Sequence, residues 1–168
     1  MTDRPIVLVT GASKGIGAAT ARAFATAGYD VCVNYCRDPT GAAETVAQCK
    51  ANGVRAFASC ADVADRSAVS KMFTDCDEVL GPLACLVNNA GIIGGTAPIV
   101  DVSEDALHQA FATNVFGTIF CLQDAARRMR TDQGGVGGVI VNMSSGAVTT
   151  GSPGEYVHYA ASKGRSRH

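Results

Sequence analysis

Tryptophan is absent from the 168-residue chain, and aromatics together make up only 6% of it. With 19 glycines present, that scarcity points to tight turns and close approach of backbones rather than a core of large rings. No sign of charge dominates, since 14 Lys and Arg stand against 15 Asp and Glu for a net charge of −1. This balance argues against a nucleic-acid or acidic-membrane partner. No apolar run approaches the roughly 18 residues needed to span a bilayer. Histidine is scarce, and His108, His158 and His168 lack ligand spacing, so no metal site is expected. The cysteines (Cys32, Cys36, Cys49, Cys60, Cys76, Cys85 and Cys121) are odd in number and form no C-x-x-C pair. No leader-like segment precedes them, so the expectation is reduced, half-buried thiols in a cytoplasmic protein.

What is there is globular in composition, 47% apolar and 17% charged. Pro5 to Thr10 is a short, continuous apolar run of the kind buried on both faces of a parallel sheet. Ile16, Ala19, Thr20, Ala23, Phe24 and Ala27 then recur at helical spacing, and Gly28 closes that helix. The same rhythm repeats: a strand from Tyr29 to Tyr35, a helix from Gly41 to Ala51, a strand from Val54 to Cys60. An amphipathic helix follows, with Val69, Met72, Phe73, Cys76, Val79 and Leu80 on its apolar stripe. Next come a strand from Leu83 to Asn88, a long helix from about Ser103 to Arg130, and another buried strand from Val139 to Met143. Strands alternating with helices predict an α/β, Rossmann-type doubly wound parallel sheet in three α/β/α layers. No repeat or linker divides the chain, so residues 1–168 are read as a single domain.

Between the first strand and the first helix lies Thr10-Gly-Ala-Ser-Lys-Gly-Ile-Gly17. Glycines at such a turn let backbone amides approach a pyrophosphate at the helix N-terminus, where the dipole favours negative charge. That position predicts dinucleotide binding. The spacing is G-x-x-x-G-x-G, and it resembles the nucleotide loop of the classical short-chain dehydrogenases/reductases. The resemblance runs from residue 5 to residue 163 in register. Asp62-Val63 resembles the family's adenine contact, Asn88-Asn-Ala-Gly91 its motif after the fourth strand, and Asn114 its helical asparagine. Val141-Asn-Met-Ser-Ser145 resembles the strand bearing the active serine, and Tyr159-Ala-Ala-Ser-Lys163 the Tyr-x-x-x-Lys motif.

The resemblance implies an NAD(P)-dependent oxidoreductase that interconverts a small-molecule carbonyl and a secondary alcohol. It implies cofactor contacts at Gly11, Ser13, Lys14, Gly15, Ile16, Gly17, Arg37, Asp62, Val63, Asn89, Ala90, Gly91, Tyr159 and Lys163. NAD-preferring members carry an acid at the end of the second strand, whereas here the strand ends Val33-Asn-Tyr35 with no acid until Asp38. Lys14 and Arg37 can instead pair with a 2′-phosphate, which favours NADP over NAD.

The chemistry needs a proton donor at the developing alkoxide. A tyrosine serves if its pKa falls from about 10 towards neutrality, a change worth about 4 kcal/mol. Tyr159 and Lys163 are spaced i, i+4 and share a helix face, so the lysine can supply that stabilisation. Tyr156 lacks this relation and is read as a pocket or packing residue, and His158 as structural. By resemblance, Ser145 rather than Ser144 holds the substrate oxygen, and Asn114 anchors a proton-relay water. Asn114, Ser145, Tyr159 and Lys163 are thus the expected catalytic residues. Ser145 stands 14 residues before Tyr159, one more than is common in the family, implying a longer loop.

After Lys163 the chain reads Gly-Arg-Ser-Arg-His168, unlike the family's helix rich in Ala, Ile and Thr. Deleting one base from codons for Gly-Ala-Ile-Glu-Thr yields Gly-Arg-Ser-Arg-His, so a frameshift product is expected, either a sequencing error or a true lesion. The resemblance implies a homo-tetramer or dimer for complete members. For this chain, lacking the last strands, assembly is doubtful and weak catalysis is expected, with a catalytically impaired nucleotide-binding remnant as the alternative.

Overall fold

Five short strands set the architecture of the computed structural model, which describes residues 4–164. The reading of residues 165–168 as a displaced frame lies outside the described residues. β1 (Ile6–Val9), β2 (Asp30–Tyr35), β3 (Ala56–Cys60), β4 (Cys85–Asn88) and β5 (Val139–Asn142) are all parallel, in the order β3-β2-β1-β4-β5. The chain builds outward from β1 through β2 to β3, then returns to lay β4 on the other side of β1. That reversal opens a crevice beyond the C-terminal ends of β1 and β4, where open α/β sheets take their ligands.

Alternation of side chains divides each strand between two cores. Ile6, Leu8, Cys32 and Leu86 pack with Met72, Phe73 and Cys76 of α3 (Arg66–Val79) and with Cys121 and Ala125 of α5 (Thr118–Met129). Val7, Val9, Val31, Val33 and Val87 pack on the opposite face, against Ala21 and Ala25 of α1 (Gly15–Thr26) and Ala42 and Cys49 of α2 (Pro39–Lys50). The helix starts are chemically marked. The Asp38 carboxylate accepts from the Gly41 N–H at 2.9 Å and caps α2. Asp65 caps α3 through the Ser67 and Ala68 amides, and the Ser67 hydroxyl together with those amides holds its carboxyl below the ordinary range. Ser103 caps α4 (Glu104–Phe111), with Glu104 and Asp105 in its first turn.

Three expectations need correction. The long helix from Ser103 to Arg130 is interrupted: α4 and α5 are joined by a π-helical turn over Ala112–Gly117, the turn that carries Asn114. Val79, placed on the buried stripe of α3, is 51% exposed, while Leu80 just beyond the helix is buried. The strand at Val139 is not buried, because it lies at the sheet edge with one face open. The segment between Ser145 and Tyr159 holds the short α6 (Ala147–Thr150) before α7 (Val157–Gly164). Ser152 within it takes a left-handed φ of 43°, a strained choice for a side chain other than glycine or asparagine.

Candidate functional site

The glycine loop is bolted to the strand ends on both sides by side chains that approach from afar. Thr10, at the end of β1, accepts the N–H groups of Asn89 and Ala90 on its hydroxyl oxygen, each at 3.0 Å. The Asn89 amide donates back to the Thr10 and Gly11 carbonyls at 2.8 and 3.0 Å. From the other side Asn34, 1% exposed, accepts the Gly11 N–H at 3.1 Å and donates to the Ala61 carbonyl at 3.0 Å. Gly11 itself needs to be glycine: its φ is +61°, and a Cβ would stand 2.9 Å from the Ala90 Cα. The loop is thereby fixed before any ligand arrives.

Beyond it lies a cleft of about 470 Å³. Of the residues expected at a cofactor, Gly11, Ser13, Lys14, Ile16 and Gly17 line it from the loop, and Arg37 from beyond β2. Asp62 and Val63 line it past β3, and Asn89, Ala90 and Gly91 past β4. Gly15, Tyr159 and Lys163 are not among its walls. The first turn of α1, whose Ile16 and Gly17 line this cleft, has no side-chain cap, its N-cap Lys14 being extended. Asp38 also lines the cleft, but its carboxylate is engaged at the start of α2.

A second group of polar residues stands at the end of β5 and on α7. Lys163 is 5% exposed, and its ammonium donates to the Met143 carbonyl at 3.1 Å. Burial pushes its pKa below the ordinary lysine value. A Cβ on Gly91 would stand 3.0 Å from the Lys163 Nζ and 3.2 Å from the Asn114 Oδ1, so glycine there leaves both side chains their room. The Asn114 amide grips the Ile92 backbone twice at 2.8 Å and donates to the Ser162 hydroxyl at 2.8 Å. Ser162 in turn donates to the Tyr159 carbonyl at 2.8 Å. One hydrogen-bonded chain thus runs from the π-turn through Asn114 to the helix bearing Tyr159 and Lys163.

Tyr159 is half-buried and meets Tyr156 edge-on at 5.9 Å between ring centroids. The two serines diverge: Ser145 is half-buried and accepts the Ala147 N–H at 3.2 Å, whereas Ser144 is exposed and reaches the Lys163 carbonyl at 3.5 Å. His158 is buried at 3% exposure with neither ring nitrogen bonded among the described residues. Sequence reasoning missed Thr10, Asn34 and Ser162. A polar residue ending an apolar strand run is the one signal that pointed to Asn34. Among the described residues no cluster of His, Cys, Asp or Glu could hold a metal ion, and no helix is long and apolar enough to cross a membrane.

The reversed parallel order and the crevice at its strand ends define a Rossmann-type α/β protein. The chain belongs to the short chain dehydrogenase family, whose description it matches over residues 5–167. It is 46% identical over 159 residues to an uncharacterized oxidoreductase of Escherichia coli, covering 95% of this chain and 64% of that protein. A 3-oxoacyl-[acyl-carrier-protein] reductase of Staphylococcus aureus is 38% identical over 156 residues, covering 93% of this chain and 61% of that one. A short chain dehydrogenase of Burkholderia cenocepacia, solved in complex with NADP, superposes with a TM-score of 0.87 at 37% identity. That match covers 95% of this chain and 63% of the solved one. The chain therefore spans somewhat under two thirds of the length of these relatives.

Proposed function

We propose that this chain carries the nucleotide cleft and the proton-transfer group of an NADP(H)-dependent oxidoreductase that interconverts a carbonyl and a secondary alcohol. The observation that carries the reading is Lys163, a lysine held in a buried place beside Gly91 by the Met143 carbonyl, on the same helix face as Tyr159. Evolution rarely tolerates so costly a burial except where the charge is used.

The cofactor supplies hydride when bound. Gly11, Ser13, Gly17 and the open first turn of α1 would hold its pyrophosphate, with Gly15 and Ile16 continuing that turn. Asp62 and Val63 would hold the adenine end, and Asn89, Ala90 and Gly91 the other. Tyr159 gives its phenolic proton to the alkoxide oxygen, and the Lys163 charge favours the phenolate left behind. Ser145 holds the substrate oxygen. Asn114, with both amide hydrogens given to Ile92 and Ser162, acts as a positioning residue that locks α7 to the wall of the cleft.

Preference for the phosphorylated cofactor is supported by two features. The nearest acid, Asp38, is committed to capping α2, and Lys14 and Arg37 stand exposed at the cleft. The relative solved with NADP fits the same preference. Titration with NADPH and NADH tests it: NADPH binds at least about tenfold tighter, a difference near 1.4 kcal/mol. Arg37→Ala removes most of that preference. Turnover of a carbonyl panel is lost in Tyr159→Phe while NADPH affinity is kept. Tighter NADH binding, or full turnover by Tyr159→Phe, defeats the proposal.

A further inference from the structure

Glycine is a poor residue inside a helix, yet Gly41 stands in the first turn of α2, three residues after its cap Asp38. Its φ is not left-handed, so no turn geometry calls for glycine there. The requirement is space. A Cβ at Gly41 would stand 2.5 Å from the Asp38 Oδ2 and 2.6 Å from the Ser13 carbonyl oxygen, too close for both to stay. The first turn of α2 therefore leans on the glycine loop. The Asp38 carboxylate is folded into the notch that the absent side chain leaves, with its Oδ1 on the Gly41 N–H at 2.9 Å. Ser13, Lys14, Arg37 and Asp38 all line the cleft, so the notch borders the same opening as the two exposed cations.

We propose that Gly41 determines the cofactor preference, because its notch stores a carboxylate that would otherwise occupy the phosphate end of the cleft. The inference rests on the nucleotide reading above. A side chain at residue 41 displaces the carboxylate. The Ser13 oxygen is backbone in a loop that Asn34 and Asn89 hold at Gly11, whereas the carboxylate is the end of a side chain that can turn. Lys14 and Arg37 then draw it into the cleft. There it pairs with them in place of the 2′-phosphate and repels that group. NADH carries no such phosphate, so it loses only what any shift at the start of α2 costs both cofactors.

The test titrates NADPH and NADH into the full chain and into Gly41→Ala, following the fluorescence of the reduced cofactor. The preference for NADPH, taken as the ratio of the two dissociation constants, should fall at least about tenfold in the variant. Asp38→Asn keeps a capping side chain without its charge. Added to Gly41→Ala, it should bring the preference back to within about threefold of the unsubstituted chain. Made alone, it should change the preference by less than about threefold, because the carboxylate is already stored. Equal weakening of both cofactors in Gly41→Ala would overturn the inference and leave glycine a purely structural role. So would a gain of about tenfold in NADPH affinity from Asp38→Asn alone, which decides the matter even if Gly41→Ala does not fold. If the unsubstituted chain binds neither cofactor, the nucleotide reading fails. The crystal structure of Gly41→Ala then decides on the notch by itself, and a carboxylate still bonded to the residue 41 N–H would defeat it.

Discussion

β1 and β5 are nearly the same strand on paper, Ile-Val-Leu-Val against Val-Ile-Val-Asn, and they live in opposite surroundings. β1 sits between β2 and β4, and none of its residues exceeds 3% exposure. Among the described residues β5 pairs with β4 alone: Ile140 packs on the core shared with α3 and α5, while Val139 is 61% and Val141 39% exposed. Hydrophobicity says that a strand can be buried, but its neighbours decide whether it is. The same contrast divides the site. The nucleotide cleft grows from the doubly covered centre, where Thr10, Asn34 and Asn89 fix the loop. Ser145 and α7 hang from the edge, and Lys163 reaches back to the Met143 carbonyl to tie the two together.

The largest effect should separate the two strands directly. Leu8→Ala deletes a fully buried side chain and should cost about 3 kcal/mol, lowering the melting temperature by roughly 6–12 °C. Val141→Ala should cost less than about 0.5 kcal/mol, as surface changes usually do. Thermal unfolding of both variants is the measurement, and equal losses would break the comparison.

The strands and the glycine loop were legible because their signals are local, a run of branched residues or glycines at fixed spacing. Four things were not. The π-turn at Ala112–Gly117 has the same apolar spacing as an α-helix, so periodicity saw one helix where there are two. The bracket made by Asn34 joins residues more than 20 positions apart, and nothing in its own segment names its partners. Val79 continued the α3 stripe by count, yet the helix ends there and Leu80 takes the buried place. The open face of β5 depends on what lies beside the strand, which its four residues do not encode. In the site, the motifs marked most of the residues that line the cleft, though Gly15, Tyr159 and Lys163 do not line it, and they did not show that Asn114 is bonded to Ile92 and Ser162.

A smaller effect, of opposite sign, sits where edge and centre meet. Lys163 has its pKa lowered by burial, so the unfolded chain holds the proton more tightly than the folded one does. The folded state is therefore penalised at neutral pH, and the penalty fades as pH rises from the folded pKa towards the ordinary 10.5 of lysine. Lys163→Met removes a costly charge while keeping most of the volume. It should abolish turnover and raise the melting temperature at neutral pH by about 2–4 °C, corresponding to about 1 kcal/mol. The advantage should shrink on approach to pH 10. An unchanged or lower melting temperature at neutral pH would mean that the bond to Met143 outweighs desolvation.

The smallest effect tests the edge itself. Among the described residues β5 pairs on one side only and shows two exposed valines on one face, the combination that invites pairing with another chain. Val141→Lys puts a charge on that face without touching the Ile140 side. If the face is open, the lysine stays hydrated and its stem lies along the strand, so stability should change by less than about 0.5 kcal/mol. Self-association at rising concentration, followed by sedimentation, should fall in the variant, because pairing would then bury an uncompensated ammonium. A loss of several kcal/mol would show that Val141 is covered after all, and β1 and β5 would then differ in degree only.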